Sequence, residues 1–202
     1  MLESTQRKAL LRIASGYRTI STAAIQVTTG IPPISLLVEE RYRLYHTEDA
    51  QQQTVKNRER EITLNQWQER WEEHTGTAAW TKVLIQDIRP WVRCNHRTLD
   101  FYITQFLTGH GSFKYYTKRM GITQDDACSY CGLIDTAEHT VLNCGRWSDW
   151  REELEEELGS VINKENISDI MIANGRNWAK VSRFVKKVLQ KKKEEERQNV
   201  HN

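Results

Sequence analysis

Four residues in one 17-residue window carry the most specific chemistry in the chain: Cys128, Cys131, His139 and Cys144, spaced Cys-x2-Cys-x7-His-x4-Cys. Thiolate and imidazole are the donors that zinc prefers, with sulfur near ~2.3 Å and nitrogen near ~2.0 Å in a tetrahedron. A two-residue gap lets both thiolates of a tight turn reach one ion, and Gly132, directly after Cys131, can take the positive φ such a turn needs. The His-x4-Cys pair then closes the cage from the other side. All four positions are filled by protein, which leaves none for a catalytic water, so the expected ion is structural. So short a window cannot build a core of its own, whereas structural zinc contributes on the order of 10–16 kcal/mol in finger peptides. Cys94, His96 and His110 are rival ligands. His139 is preferred because Asp135 and Glu138 are close enough in sequence to orient its second ring nitrogen. The plain alternative is three unrelated buried cysteines and a surface histidine.

A second group of residues suits phosphate and bases. The span 80–119 holds seven Lys/Arg against two Asp/Glu, interleaved with Trp91, Phe113, Tyr115 and Tyr116. Basic side chains gain affinity for phosphates through counterion release, and aromatic faces stack on unpaired bases at about 1–3 kcal/mol each. Arg89, Arg93, Arg97, Lys114, Tyr115, Lys118 and Arg119 are therefore the candidate nucleic-acid contacts, suited to single-stranded or structured RNA or to locally opened DNA. Phe101 and Phe106 read as core instead, and His110, between two glycines, reads as a turn or packing residue. Charge elsewhere is also in blocks: residues 1–79 are neutral, 120–173 carry a net −9 and 174–202 a net +6. Such patterning speaks of partners more than the overall +2 does. The Lys186–Lys193 cluster fits either a nuclear-import signal or the wet face of a helix whose inner face is Val185, Val188 and Leu189.

No catalytic constellation accompanies these groups. A two-metal polymerase site pairs aspartates in an aromatic-x-Asp-Asp turn to hold two magnesium ions. The only Asp-Asp, Asp125–Asp126, lacks the aromatic residue and reads as a solvated turn beside a zinc ligand. The carboxylates from Glu152 to Glu157 alternate with Leu154 and Leu158 as the outer face of a helix would. No apolar run approaches the roughly 18–20 residues that span a bilayer, so no membrane partner is expected. Clustered cysteines and the lack of an N-terminal signal pattern point to a reducing compartment, nuclear and cytoplasmic.

The elements that must position these groups read as helices almost throughout. Ser4 or Thr5 can cap a first helix with Leu10, Leu11 and Ile13 inward, and Gly16 ends it; Ser21 opens a second, closed by Gly30. Residues 35–74 are helical in character, with a polar middle at 51–61 that is either a solvated helix or a connection, and Trp67 and Trp71 restore an apolar face. The spacing predicts one helix over 78–88 stopped by Pro90, another opened by Thr98 or Asp100 with Phe101, Ile103, Phe106 and Leu107 inward, and a short basic helix over 113–120 capped by Ser112. Trp147, Trp150, Leu154 and Leu158 form a stripe ending at Gly159, and a last helix starts near Trp178. The expected fold is mainly α, helical segments around one small zinc knuckle. Its expected divisions are 1–76, a basic-aromatic region 77–121, the knuckle 122–147 and a charged tail 148–202.

One family resemblance gathers these features. The run Gln105–Phe106–Leu107–Thr108–Gly109–His110–Gly111–Ser112–Phe113, Tyr116, the four knuckle ligands, Thr136–Ala137–Glu138–His139–Thr140 and Trp147 resemble the C-terminal region of type-1 non-LTR retrotransposon Pol proteins. The nearest likeness is to arthropod elements that insert into ribosomal DNA. Gln6–Arg7–Lys8, Tyr17–Arg18–Thr19, Ser21–Thr22–Ala23 and Gly30–Ile31–Pro32–Pro33 look like the stretch just downstream of their polymerase. The resemblance implies a fragment of a longer protein that nicks target DNA and copies its own RNA there, by target-primed reverse transcription. It implies element RNA or target DNA and the upstream polymerase domain as partners, with magnesium needed only by polymerase and endonuclease domains outside these residues. The competing expectation, from the acidic stripe after Trp147, is a zinc-stabilised protein-interaction module that docks on its own polymerase domain.

Overall fold

A computed structural model describes residues 2–200. Helices hold 66% of the chain and no strand forms among the described residues, so the mainly α expectation stands. The helices are α1 Leu2–Ile13, α2 Thr22–Thr29, α3 Ile34–Tyr45, α4 Gln53–Glu73, α5 Ala79–Leu84, α6 Ile88–Arg93, α7 Phe101–Thr108, α8 Lys114–Arg119, α9 Ser148–Leu158, α10 Ile167–Ala173 and α11 Gly175–Val200.

Several boundaries follow the local chemistry. Ser21 accepts from the Ala24 N–H at 3.2 Å and opens α2, and Gly30 closes it in the left-handed region at φ 64. Asp100 accepts from the N–H groups of Tyr102 and Ile103, both at 2.9 Å, and opens α7. Other boundaries depart from expectation. Helix α1 runs straight through Ser4 and Thr5, and Ile13 faces solvent, because its register lies off the inward side defined by Leu10, Leu11 and Ala14. The single helix expected over 78–88 is two. Pro90 does not stop it but sits in the first turn of α6, where the missing N–H costs nothing, and Asp87 caps that helix by accepting from Arg89 N–H at 2.9 Å. Ser112 does not cap α8, and α11 begins at Gly175, three residues before Trp178, after Asn174 accepts from Asn177 N–H at 2.9 Å. Phe101, expected in the core, is half-buried against Tyr17, while Ile103, Phe106 and Leu107 are buried.

Helix α11 is the spine. Its inward residues Trp178, Val181, Val185, Val188 and Leu189 are buried together with Trp91 of α6, Ile103 and Phe106 of α7, Leu154 of α9 and Met171 of α10. The Trp91 and Trp178 rings lie 5.5 Å apart. Ala137, Val141, Leu142 and Trp147, from the segment that carries the metal-type residues, belong to the same buried cluster. That segment is therefore also anchored by ordinary apolar burial, where the sequence suggested metal alone. A smaller cluster, Leu10, Leu11, Ala14, Ile20, Ala24 and Ile25, joins α1 to α2.

Candidate metal centre and basic surface

Residues 127–135 double back as a narrow ribbon, with Cys128 N–H donating to Leu133 O at 2.7 Å and Asp135 N–H to Asp126 O at 2.8 Å. Gly132 turns the ribbon at φ 77, the conformation its place after Cys131 predicts. The chain then enters one wide π-type turn, His139–Asn143, which presents His139 and Cys144 to the ribbon. Thr136 Oγ1 accepts from His139 N–H at 3.0 Å and fixes where that turn starts.

The four donor atoms of Cys128, Cys131, His139 and Cys144 lie within 4.8 Å of one another. Cys128 Sγ and Cys144 Sγ are 3.9 Å apart, and Cys131 Sγ is 3.3 Å from His139 Nε2. A tetrahedral ion with the bond lengths of zinc needs about 3.8 Å between sulfurs and about 3.5 Å between sulfur and nitrogen. The donor set fits a metal such as zinc. Electrostatics agree: burial pushes the Cys144 thiol up to about 12, and the neighbouring cysteines push the same way. Three thiolates so close are uncomfortable without a cation between them. Burial lowers the pKa of His139 and so favours the neutral ring that ligates metal. The rival ligands lie elsewhere: Cys94 Sγ contacts His96 Nε2 at 3.2 Å beside Met171 O, and His110 Nδ1 donates to Thr108 O at 2.7 Å.

Asp135, named in the sequence as a possible partner of the His139 ring, makes its hydrogen bonds elsewhere. It is fully buried and its Oδ2 accepts from the Lys114 N–H at 2.8 Å, which supplies the cap that Ser112 does not. Tyr115 N–H donates to its carbonyl at 3.1 Å, Thr140 Oγ1 donates to its Oδ1, and Lys192 of α11 pairs with Oδ2 at 2.8 Å. One carboxylate thus ties the metal-type cluster to the start of α8 and to the spine. Glu138, proposed to orient His139, turns instead to Lys164 at 3.1 Å. Lys192 carries a sequence signal of its own burial. It continues the inward register of Val185 and Val188 by four, and a lysine there needs a buried partner.

The structure places the basic candidates unevenly. Arg89 forks onto Asp87 at 2.8 and 2.9 Å, and Arg93 pairs with Glu61 at 2.6 Å. Arg97 is turned inward: it donates to Thr29 O at 2.8 Å and to Trp91 O, with its guanidinium 5.8 Å from the Trp91 ring centroid. Lys114, Tyr115, Lys118 and Arg119 share the short helix α8, where Lys114 pairs with Asp125 at 3.3 Å and Lys118 with Asp126 at 3.0 Å. Arg119 is exposed and has no ion-pair partner among the described residues. The Asp-Asp pair read as a solvated turn is thus also the counter-charge of α8. Two carboxylates of the acidic stripe of α9 are likewise answered from α11, by Lys187–Glu153 at 3.8 Å and Lys180–Glu157 at 3.7 Å. The block charges seen in the sequence are thus in part internal complementarity.

What these features define is a helical protein with one cage of three cysteines and a histidine, buttressed by a basic-aromatic helix. No family model matches the chain and no solved structure matches it. It is 25% identical over 199 residues, covering 91% of this chain and 51% of the relative, to the retrovirus-related Pol polyprotein from type-1 retrotransposable element R1 4 of Nasonia vitripennis. It is 28% identical over 172 residues to a putative 115 kDa protein in type-1 retrotransposable element R1DM of Drosophila melanogaster, covering 75% of this chain and 16% of that one. To the R1 2 Pol polyprotein of Nasonia vitripennis it is 24% identical over 206 residues, covering 94% and 50%. The chain spans about half the length of the two Nasonia relatives. Over most of its length it is a homologue of proteins of insect R1 elements.

Proposed function

We propose that this chain is a nucleic-acid-binding segment of an R1-type retrotransposon Pol protein, with zinc as a structural ion at Cys128, Cys131, His139 and Cys144. The observation that supports it best is the seating of α8 on the cage. Asp135 caps the helix bearing Lys114, Tyr115, Lys118 and Arg119, so an ordered metal site fixes a basic-aromatic surface. The exposed pairs of Lys114 and Lys118 with Asp125 and Asp126 are worth about 0–1 kcal/mol, weak enough for phosphate to displace. Element RNA and target DNA are the natural ligands, the polymerase of the same polyprotein the natural neighbour, and nucleus and cytoplasm the places of action. RNA-directed DNA synthesis and target nicking belong to the whole protein, with magnesium required there. The test is anisotropy of labelled single-stranded RNA against salt, with wild type and Cys128→Ser/Cys131→Ser. Affinity is expected to fall steeply with salt and on loss of the cage. Salt-independent binding, or binding indifferent to the cysteines, would contradict the reading. The docking-module reading draws on the acidic stripe of α9, of which Glu153 and Glu157 are paired with α11.

A further inference from the structure

Between α8, the Gly109–His110–Gly111 turn, the start of α5 and the entry to the π-type turn lies an open cleft of about 440 Å³. We propose that this cleft receives one unstacked nucleotide of a single strand, its base among the aromatic side chains and its phosphate at Arg119. The inference rests on the nucleic-acid reading above and specifies where a base goes.

Three features carry it. Size comes first: clefts of roughly 300–1,000 Å³ enclose small ligands, so this one admits a nucleoside and is too small for a duplex. Its walls come next: Trp80, Tyr115 and Tyr116 line it. Trp80 is held by its indole N–H donating to Phe106 O at 2.6 Å, and the Tyr116 hydroxyl is 2.6 Å from Thr19 Oγ1. Tyr116 is buried against His110 and Tyr17 and closes the floor, while half-buried Trp80, locked in place, and exposed Tyr115 offer faces for stacking. Charge is the third. Arg119 lines the cleft with no carboxylate partner among the described residues, whereas the acid that also lines it, Glu138, is neutralised by Lys164 at 3.1 Å. A guanidinium at the mouth of an aromatic cleft complements one phosphate and one base. Burial keeps His110 neutral and its Nδ1 is engaged with Thr108 O, so it serves as wall and adds no charge.

The zinc-loaded full chain is irradiated with short single strands carrying 4-thiouridine, or 4-thiothymidine in a deoxy strand, and adducts are mapped by mass spectrometry. Adducts on Trp80, Tyr115 or Tyr116 are expected, and the two strands tell whether ribose or deoxyribose is preferred. Adducts confined to other surfaces overturn the cleft while leaving nucleic-acid binding intact; no binding of either strand overturns both. Ala79→Trp fills the cleft from an exposed position and, with Arg119→Gln, is expected to weaken binding on the order of five- to a hundredfold. Folded variants that bind within about twofold of wild type would overturn the proposal. Should Ala79→Trp misfold by circular dichroism, the wild-type adduct map decides.

Discussion

Replacing Asp135 by asparagine removes one charge and few atoms from the point where three elements meet. Asp135 is fully buried and Lys192 only 9% exposed, so water cannot replace the lost carboxylate. Burial works against the Lys192 charge, yet Asp135 and Glu196 together hold its pKa above the ordinary lysine value. The substitution therefore strands a desolvated ammonium with Glu196 alone. Breaking a buried pair from one side costs about 3–5 kcal/mol, and the surviving Glu196 contact places the expected loss near the lower bound, about 3 kcal/mol. A typical domain has only about 5–15 kcal/mol to lose, so the effect is readily measured. Urea unfolding of the zinc-loaded protein reads it, and a double-mutant cycle isolates it. Lys192→Met combined with Asp135→Asn removes the stranded charge and is expected to recover at least about half of the loss. A single-mutant cost under about 1 kcal/mol, or a double mutant as unstable as the sum of the singles, would refute the bridge.

Other consequences can be checked by unfolding and RNA-binding assays. Gly30 sits at φ 64, where a side chain is strained, and a Cβ there would also press on the Arg97 guanidinium, so Gly30→Ala is expected to destabilise by more than about 1 kcal/mol. A neutral result would contradict the left-handed closure of α2 at Gly30. The Arg43 hydrogen bond holds Glu59 below the ordinary value of 4.5 against the opposing effect of its burial. A depressed carboxylate stabilises above its unfolded pKa and loses that contribution as pH falls through the folded one. Glu59→Gln should thus be most harmful near neutral pH, with the gap closing below about pH 4. A gap that widens in acid would reverse the sign. Arg97→Gln should lower stability while leaving salt-dependent RNA affinity unchanged, and the opposite pattern would return Arg97 to the binding surface.

The gathering of Cys128, Cys131, His139 and Cys144 was legible because their spacing is short, and the local ribbon and turn do the rest. Caps such as Ser21, Gly30 and Asp100 were legible for the same reason: their chemistry is local. Pro90 misled because proline is as compatible with the first turn of a helix as with its end, and only the placement of Asp87 decides between them. The Asp135–Lys192 bridge joins residues 57 apart in the chain, and helical register alone marks Lys192 as inward without naming its partner. The fates of Arg89, Arg93 and Arg97 were hidden likewise. Composition marks a basic block, but which arginines face water depends on Asp87, Glu61 and the carbonyl of Thr29.

The proposed zinc would be held by three sulfurs and one nitrogen, those of Cys128, Cys131, Cys144 and His139. X-ray absorption on freshly reduced protein, with elemental analysis of the same sample, tests it most directly. One zinc per chain is expected, with about three sulfurs near 2.3 Å and one nitrogen near 2.0 Å. Metal-free protein that keeps the same fold, or a zinc shell without sulfur, would contradict it.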